Sequence, residues 1–225
     1  MNILYEERPS DSPYVATITH GHTACDGTAT RPAESHWHLV IVRQHNHIHT
    51  VVVGPWTAAG VVRYTASAEL LWIKLTLGTF MPHLPARKLL DTETVLPDAA
   101  RQSFWLHGAA WPFPNYHNAE TFVDRLVRAE VLVHDPIVHA VIHGEPHGMA
   151  DRTVRHRFVR ATGLTHNHIR QVQRAQQAAA HLQQGVSIPD TMCELGYFDQ
   201  PHLTRALKQF VGYTPAQLSR MRTPA

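Results

Sequence analysis

Cysteine is nearly absent from this 225-residue chain. Cys25 and Cys193 are far apart and in no ligand spacing, which excludes a disulfide framework and a cysteine-based zinc site. No apolar run approaches the length of a membrane span, and Met1 to Tyr14 is polar and acidic, without the apolar stretch of a secretory signal. These absences predict a soluble, cytoplasmic protein with no membrane partner. Charge of one sign is also lacking overall, since the net charge is +2, while a 44% apolar fraction is ample for a packed core.

The small net charge conceals an asymmetry. Residues 1–150 hold 10 Lys and Arg against 14 Asp and Glu, whereas residues 151–225 hold 10 against 4, so the two parts stand at −4 and +6. A basic third joined to an acidic remainder is expected where one part meets a polyanion. Within the basic third, Ser187 can cap a helix whose apolar stripe is Ile188, Met192 and Leu195, with Asp190 completing an approximate capping box and Gly196 ending it. Asp199 can cap a second helix that buries Leu203, Leu207 and Phe210. Its opposite face carries Pro201, Arg205 and Lys208, flanked by His202, Thr204 and Gln209. Two short helices joined by a glycine turn, the second showing cations outward, form the helix-turn-helix pattern.

The run from Gly196 to Lys208, followed by Phe210, Gly212, Thr214, Pro215 and Arg220, resembles the C-terminal signature of the AraC/XylS family of transcription regulators. The resemblance covers about the last third of the chain, and its residues fall in order at the family's spacing. It implies two helix-turn-helix units joined by a long helix, and double-stranded DNA as partner. Gln200, His202, Thr204, Arg205 and Lys208 would then be DNA-contacting residues of the second unit. RNA polymerase is a further partner if the protein activates transcription, and a homodimer is an open alternative.

Upstream, Thr165 can cap a helix running to Gln184 and stopped by Gly185, with Ile169, Val172, Ala175, Ala179 and Leu182 on one face. This is the expected connecting helix. Asp151 to Thr162 reads as the first recognition helix, with Val154, Phe158 and Ala161 inward and Arg152, His156 and Arg160 outward. Arg152, Arg155 and His156 are its candidate DNA contacts. The helix expected before it is missing, because Gly144-Glu145-Pro146-His147-Gly148-Met149 is too short and too rich in breakers. Either a helix capped at Asp135, with Pro136 in its first turn and ending near Ile142, stands in for it, or the unit is pruned. A further helix is expected from Asn118 to about Val133, with Phe122, Val123, Leu126 and Val127 as its stripe.

The first hundred residues read as strands. Tyr14 to Thr19, His36 to Arg43, His47 to Val53, Val61 to Tyr64 and Glu69 to Thr76 are rich in β-branched and aromatic residues and are separated by turn formers. Phe104 to Gly108 and Trp111 to Pro114 read as a connecting loop. The fold class expected is α+β, with an N-terminal antiparallel sheet or barrel, cupin-like by analogy with the family, and an all-α helix-turn-helix domain after it. The boundaries expected are 1–115 for an effector-sensing domain, 116–143 for connecting helices and 144–225 for the DNA-binding domain.

Two features of the N-terminal part carry chemistry. His36 with His38, or His47 with His49, could present two imidazoles on one strand face, but Glu34 is too close in sequence to make a persuasive third ligand. No metal or cofactor is therefore assigned. All five Trp precede residue 112, either as core packing or as flat pocket walls. On the second reading His36, Trp37, His38 and Trp72 line an effector site.

The function expected is a sequence-specific transcription regulator responsive to a small molecule, with no catalytic residues. Two alternatives stand beside it: a regulator-derived module that senses ligands or proteins without specific DNA binding, and a metal-dependent cupin-like enzyme.

Overall fold

A computed structural model describes residues 3–142, 144–146 and 148–221. The sheet-rich part runs β1 (Ile3–Pro9), β2 (Val15–Thr23), β3 (Gly27–Arg31), β4 (His38–Gln44), β5 (His47–Val53), β6 (Gly60–Tyr64), β7 (Ala68–Leu75) and β8 (Thr79–Phe80). Then come β9 (Glu93–Leu96), β10 (Asp98–Ala100), β11 (Ser103–Leu106) and β12 (Ala109–Pro112). Helix α1 (Ala119–Arg128) leads to the short strand β13 (Val133–His134), after which the described chain is helical: α2 (Pro136–Ile142), α3 (Asp151–Thr162), α4 (His166–Gln183), α5 (Ile188–Leu195), α6 (Gln200–Phe210) and α7 (Pro215–Arg220).

Six strands form one antiparallel sheet in the order β1-β2-β7-β4-β5-β9, while β3 and β6 pair as a separate ribbon. The large sheet is open, with β1 and β9 at its two edges. Strand alternation gives it two faces. Ile18, Leu39, Ile41, Val52, Leu71 and Ile73 lie on one, in the main core, whereas Val40, Val51 and Val53 lie on the other with Val42, Trp56, Leu70 and Trp72. The hairpin between β4 and β5 turns on His45 and Asn46, both at positive φ (45° and 70°), a two-residue turn whose twist matches the strands it joins.

The sequence reading needs correction at two places. Phe104 to Gly108 and Trp111 to Pro114 are not a connecting loop. They contribute to β11 and β12, joined by a tight turn in which His107 and Gly108 take φ of 50° and 75°. The helix expected from Asn118 to Val133 stops at Arg128, and Val133 pairs instead with Phe80 as part of a two-stranded ladder. There tertiary pairing prevails over helical periodicity.

Besides the small Val40 cluster, two larger apolar cores divide the described residues unevenly. The main one takes in the sheet and α1 but continues into Val138, Val154, Phe158, Ala161, Leu164 and Ile169. The second joins Val172, Ala175, Ala178, Ala179 and Leu182 to Tyr197, Leu203, Leu207, Phe210 and Leu218. Thus α4 spans both cores, its first turns in one and its last in the other. Specific hydrogen bonds fasten the sheet-rich part to the helices. The buried Trp37 indole donates to the Ala161 carbonyl (2.9 Å), and the Ala33 and Ala59 amides donate to the carbonyls of Phe210 and Gln209 at the end of α6 (both 2.7 Å).

Candidate nucleic-acid interface

The second helix pair is built by local chemistry. The Ser187 side chain accepts from the Asp190 amide, and Pro189 sits in the first turn of α5, where its missing N–H costs nothing. Gly196 then takes φ of 66°, a left-handed conformation that a side chain would strain, and ends the helix. Asp199 restarts the chain as α6 by accepting from the His202 amide at 2.6 Å. Leu203, Leu207 and Phe210 seat α6 in the second core. Thr214 and Gln217 close a full capping box on α7 behind it.

Seating that stripe turns the other face outward. Gln200, Arg205 and Lys208 are exposed, while His202 and Thr204 are half-buried. The His202 ring meets Tyr197 edge-on at 5.2 Å, and the Arg174 guanidinium lies 4.5 Å from the same Tyr197 ring on its own side. A chain of contacts therefore links α4, the turn and the start of α6. The five residues singled out in the sequence share this helix, but only three stand fully in solvent.

The first unit is put together differently. Helix α3 occupies the expected Asp151–Thr162 and ends at Gly163 (φ 74°), but Ala150 before it supplies no side-chain cap. Its predecessor α2 starts where Asp135 accepts from the Ile137 amide (3.1 Å), and the same carboxylate pairs with Arg157 of α3 at 2.9 Å. That ion pair fastens α2 and α3 together across the breaker segment, of which His147 lies outside the described residues. Arg152, Arg155 and His156 are exposed. Arg155 lines a cleft of about 680 Å³ with Asp151, Val154, Val141, Thr165, His166 and Asn167, whereas His156 and Arg160 face the Phe80–Arg87 segment across a smaller one of about 310 Å³. Of the candidate DNA contacts of α3, Arg155 and His156 therefore line separate clefts, and Arg152 belongs to neither.

The four candidate effector residues divide between the two sheet faces. Trp37 is 2% exposed in the main core. His38 and Trp72 lie on the other face, where the Trp72 indole donates to His38 Nδ1 at 2.6 Å. Burial pushes the His38 imidazole down to about 3 against the opposing pull of Glu34, so it is neutral and accepts this bond. His36 contacts the Glu34 carboxylate, which Lys74 Nζ also reaches at 2.7 Å. Burial alone would raise Glu34, but His36 and Lys74 outweigh it and hold the carboxyl well below its ordinary range.

Sequence reasoning passed over several members of this cluster. Glu34, His36 and His38 alternate, which was the available signal for a shared face; Lys74, Arg31 and Trp56 join them only through the fold. The Arg31 guanidinium stacks 3.5 Å from the Trp56 ring centroid. Arg31 Nε, the Trp56 indole nitrogen and the Ser35 hydroxyl are buried without a hydrogen-bond partner among the described residues. Among those residues, no group of three or more His, Cys, Asp or Glu could hold a metal ion, and no helix is long and apolar enough to cross a membrane.

Comparison with known proteins adds a family match. Residues 147–221, a third of the chain, match the family model described as a helix-turn-helix domain. This span begins just before α3 and ends just after α7. No curated protein sequence matches the chain. Among solved structures, ToxT from Vibrio cholerae is similar at 8% identity over 100% of both chains, with a TM-score of 0.42.

Proposed function

We propose, starting from the helix-turn-helix family model that residues 147–221 match, that this protein is a sequence-specific transcription regulator of the AraC type that reads DNA chiefly through α6. The observation that carries the reading is the division of α6 into a seated face and a free one. Leu203, Leu207 and Phe210 fix the helix, leaving Gln200, Arg205 and Lys208 exposed on a rigid scaffold. Arg205 has the reach and planar donors to read a guanine edge, while Lys208 suits a backbone phosphate. The α3 residues Arg152, Arg155 and His156 supply the contacts of a second, weaker groove segment.

The sheet-rich residues 1–115 serve as the sensing part and 144–225 as the reader, with 116–143 connecting them. The effector would lie on the face that carries His38, Trp72 and Trp56. Support comes from the buried Trp56, Arg31 and Ser35 groups, since buried polar atoms normally have partners and a polar ligand can supply them. His36 and Lys74 border the same cluster through Glu34. If the protein activates transcription, RNA polymerase is its protein partner, and a homodimer would double its footprint. The reading places the protein in the cytoplasm and assigns it no catalysis.

The test of DNA reading is fluorescence anisotropy of the full chain on a duplex selected from a random pool, beside a scrambled duplex of the same length. Tighter binding to the selected duplex, lost in Arg205→Ala, is the expected result. Equal binding to both duplexes, unaffected by Arg205→Ala, would leave the protein without a base reader.

A further inference from the structure

A polar groove of about 470 Å³ runs along α4 between the two helix pairs. Its floor is Asn167, Arg170, Gln171, Gln173, Arg174 and Gln177; Ile142 at the end of α2 closes one side, and Glu194 and Leu195 at the end of α5 close the other. The floor residues lie away from the stripe of Ile169, Val172, Ala175, Ala179 and Leu182 that fixes the helix in its cores. Along its 18 residues α4 carries no Asp or Glu, an unusual composition for an exposed helix face whose neutral amides can all donate. Glu194 is the single carboxylate on the groove's border, and His181 Nδ1 lies 3.3 Å from it. Two guanidiniums and several amides therefore face one carboxylate.

We infer that this groove is a binding site for the DNA sugar-phosphate backbone, making the connecting helix a third contact element between the two reading helices. The inference rests on the proposed DNA-binding function. A helix of 18 residues is about 27 Å long, comparable with the ~34 Å that separates successive major-groove segments on one side of a duplex. Between those segments the duplex turns its minor groove, and the phosphate strands that border it, toward the protein. Arginine and amide donors suit phosphate oxygens there and need no particular base. Arg174 is held for this role by stacking on Tyr197, which itself meets His202 of α6. A backbone contact at the groove would thus set the register at which α6 enters the next segment.

The test uses the full chain, with its selected duplex and a scrambled duplex, titrated by anisotropy from about 50 to 200 mM salt. Arg170→Ala should weaken binding to both duplexes alike, about three- to tenfold at low salt, and lower the slope of log affinity on log salt by about one. Neutral methylphosphonates at the central phosphates of the selected duplex should weaken the unaltered protein similarly and remove most of the Arg170→Ala effect. That second measurement needs no variant to fold. Loss confined to the selected sequence would make Arg170 a base reader and overturn the inference, as would full affinity of Arg170→Ala while Arg205→Ala is impaired. Intact DNA affinity with lost transcriptional output in a reporter strain would assign the groove to a protein partner and also overturn it. If the unaltered chain prefers no sequence and shows no salt-dependent binding, the failure lies with the DNA-binding reading itself.

Discussion

The two helix pairs are held by different means. In the second, Ser187, Gly196, Asp199 and Thr214 set the helix ends, and the apolar residues of α5, α6 and α7 meet those of α4 in a core to which the sheet-rich part adds Ala33 and two backbone hydrogen bonds at the end of α6. In the first, α3 begins at Ala150 without a side-chain cap, and Val154, Phe158 and Ala161 belong to the core of the sheet. The Trp37 indole and the Asp135–Arg157 pair complete its support. A unit built from local signals can be read in isolation, whereas one built on a neighbouring sheet inherits that sheet's stability and its movements.

The sharpest way to break this comparison is to empty each core in turn. Phe158, which is fully buried, should cost about 3–5 kcal/mol when changed to Ala, and Leu203→Ala about 2–5 kcal/mol. Amide hydrogen exchange distinguishes their consequences. Phe158→Ala should loosen α3 together with the sheet while α6 stays protected; Leu203→Ala should do the reverse. Equal loosening everywhere in both variants would mean a single cooperative core and no difference between the pairs.

A pH titration sharpens the same division. Because His38 is pushed from 6.5 down to about 3 by burial, its folded environment favours the neutral ring. The stability this confers is complete above about pH 6.5 and is lost as pH falls toward 3, with a slope of up to ~1.4 kcal/mol per pH unit. Glu34 is also held low, so its contribution is present above about 4.5 and lost on further acidification. Urea denaturation at several pH values should show the decline, and His38→Gln, which can still accept from Trp72, should flatten it between pH 6.5 and about 4.5. A decline unchanged in that variant would place the titrating group elsewhere.

Smaller effects are expected from the proposed DNA contacts. Arg205→Ala should cost about 1–3 kcal/mol on a selected site and relax preference at one or two positions. The joint change of Arg152 and Arg155 to Ala should alter only the other part of the footprint, or only the salt-sensitive term if α3 does not enter a groove. Hydroxyl-radical footprinting of both variants separates these results; identical changes across the whole footprint would contradict the unequal roles assigned here.

The smallest effects concern the caps. Asp199→Ala should destabilise the second pair by about 1 kcal/mol, and Ala150→Ser should stabilise the first by a similar amount if the new hydroxyl reaches the second or third amide of α3. Thermal melts check both. No gain in Ala150→Ser would show that the start of α3 is already satisfied by its surroundings.

The same contrast explains what could be read in the sequence. The bounds of α3, the start of α6, the span of α4 to within one residue and the strand His47–Val53 follow from caps, glycine stops and periodicity, all of which act over a few residues. The early end of α1 does not, because Val133 is claimed by Phe80, more than fifty residues away. Nor was it legible that Trp37 and Trp72 would occupy opposite faces, although alternation along β4 and β7 decides it once the register is known. The groove along α4 was half legible. Its run of Gln and Arg was visible on the polar face, but Glu194 and Ile142 reach it only through the fold.

The most direct test of the central account is selection of duplexes from a random pool by the full chain, followed by footprinting on the enriched sequence at about 100 mM salt. The account predicts a strongly enriched segment whose preference depends on Arg205, and a more weakly enriched one centred about ten base pairs away that depends on Arg152 and Arg155. A pool that never enriches, or an enriched site that Arg205→Ala binds as well as the unaltered protein, would contradict it.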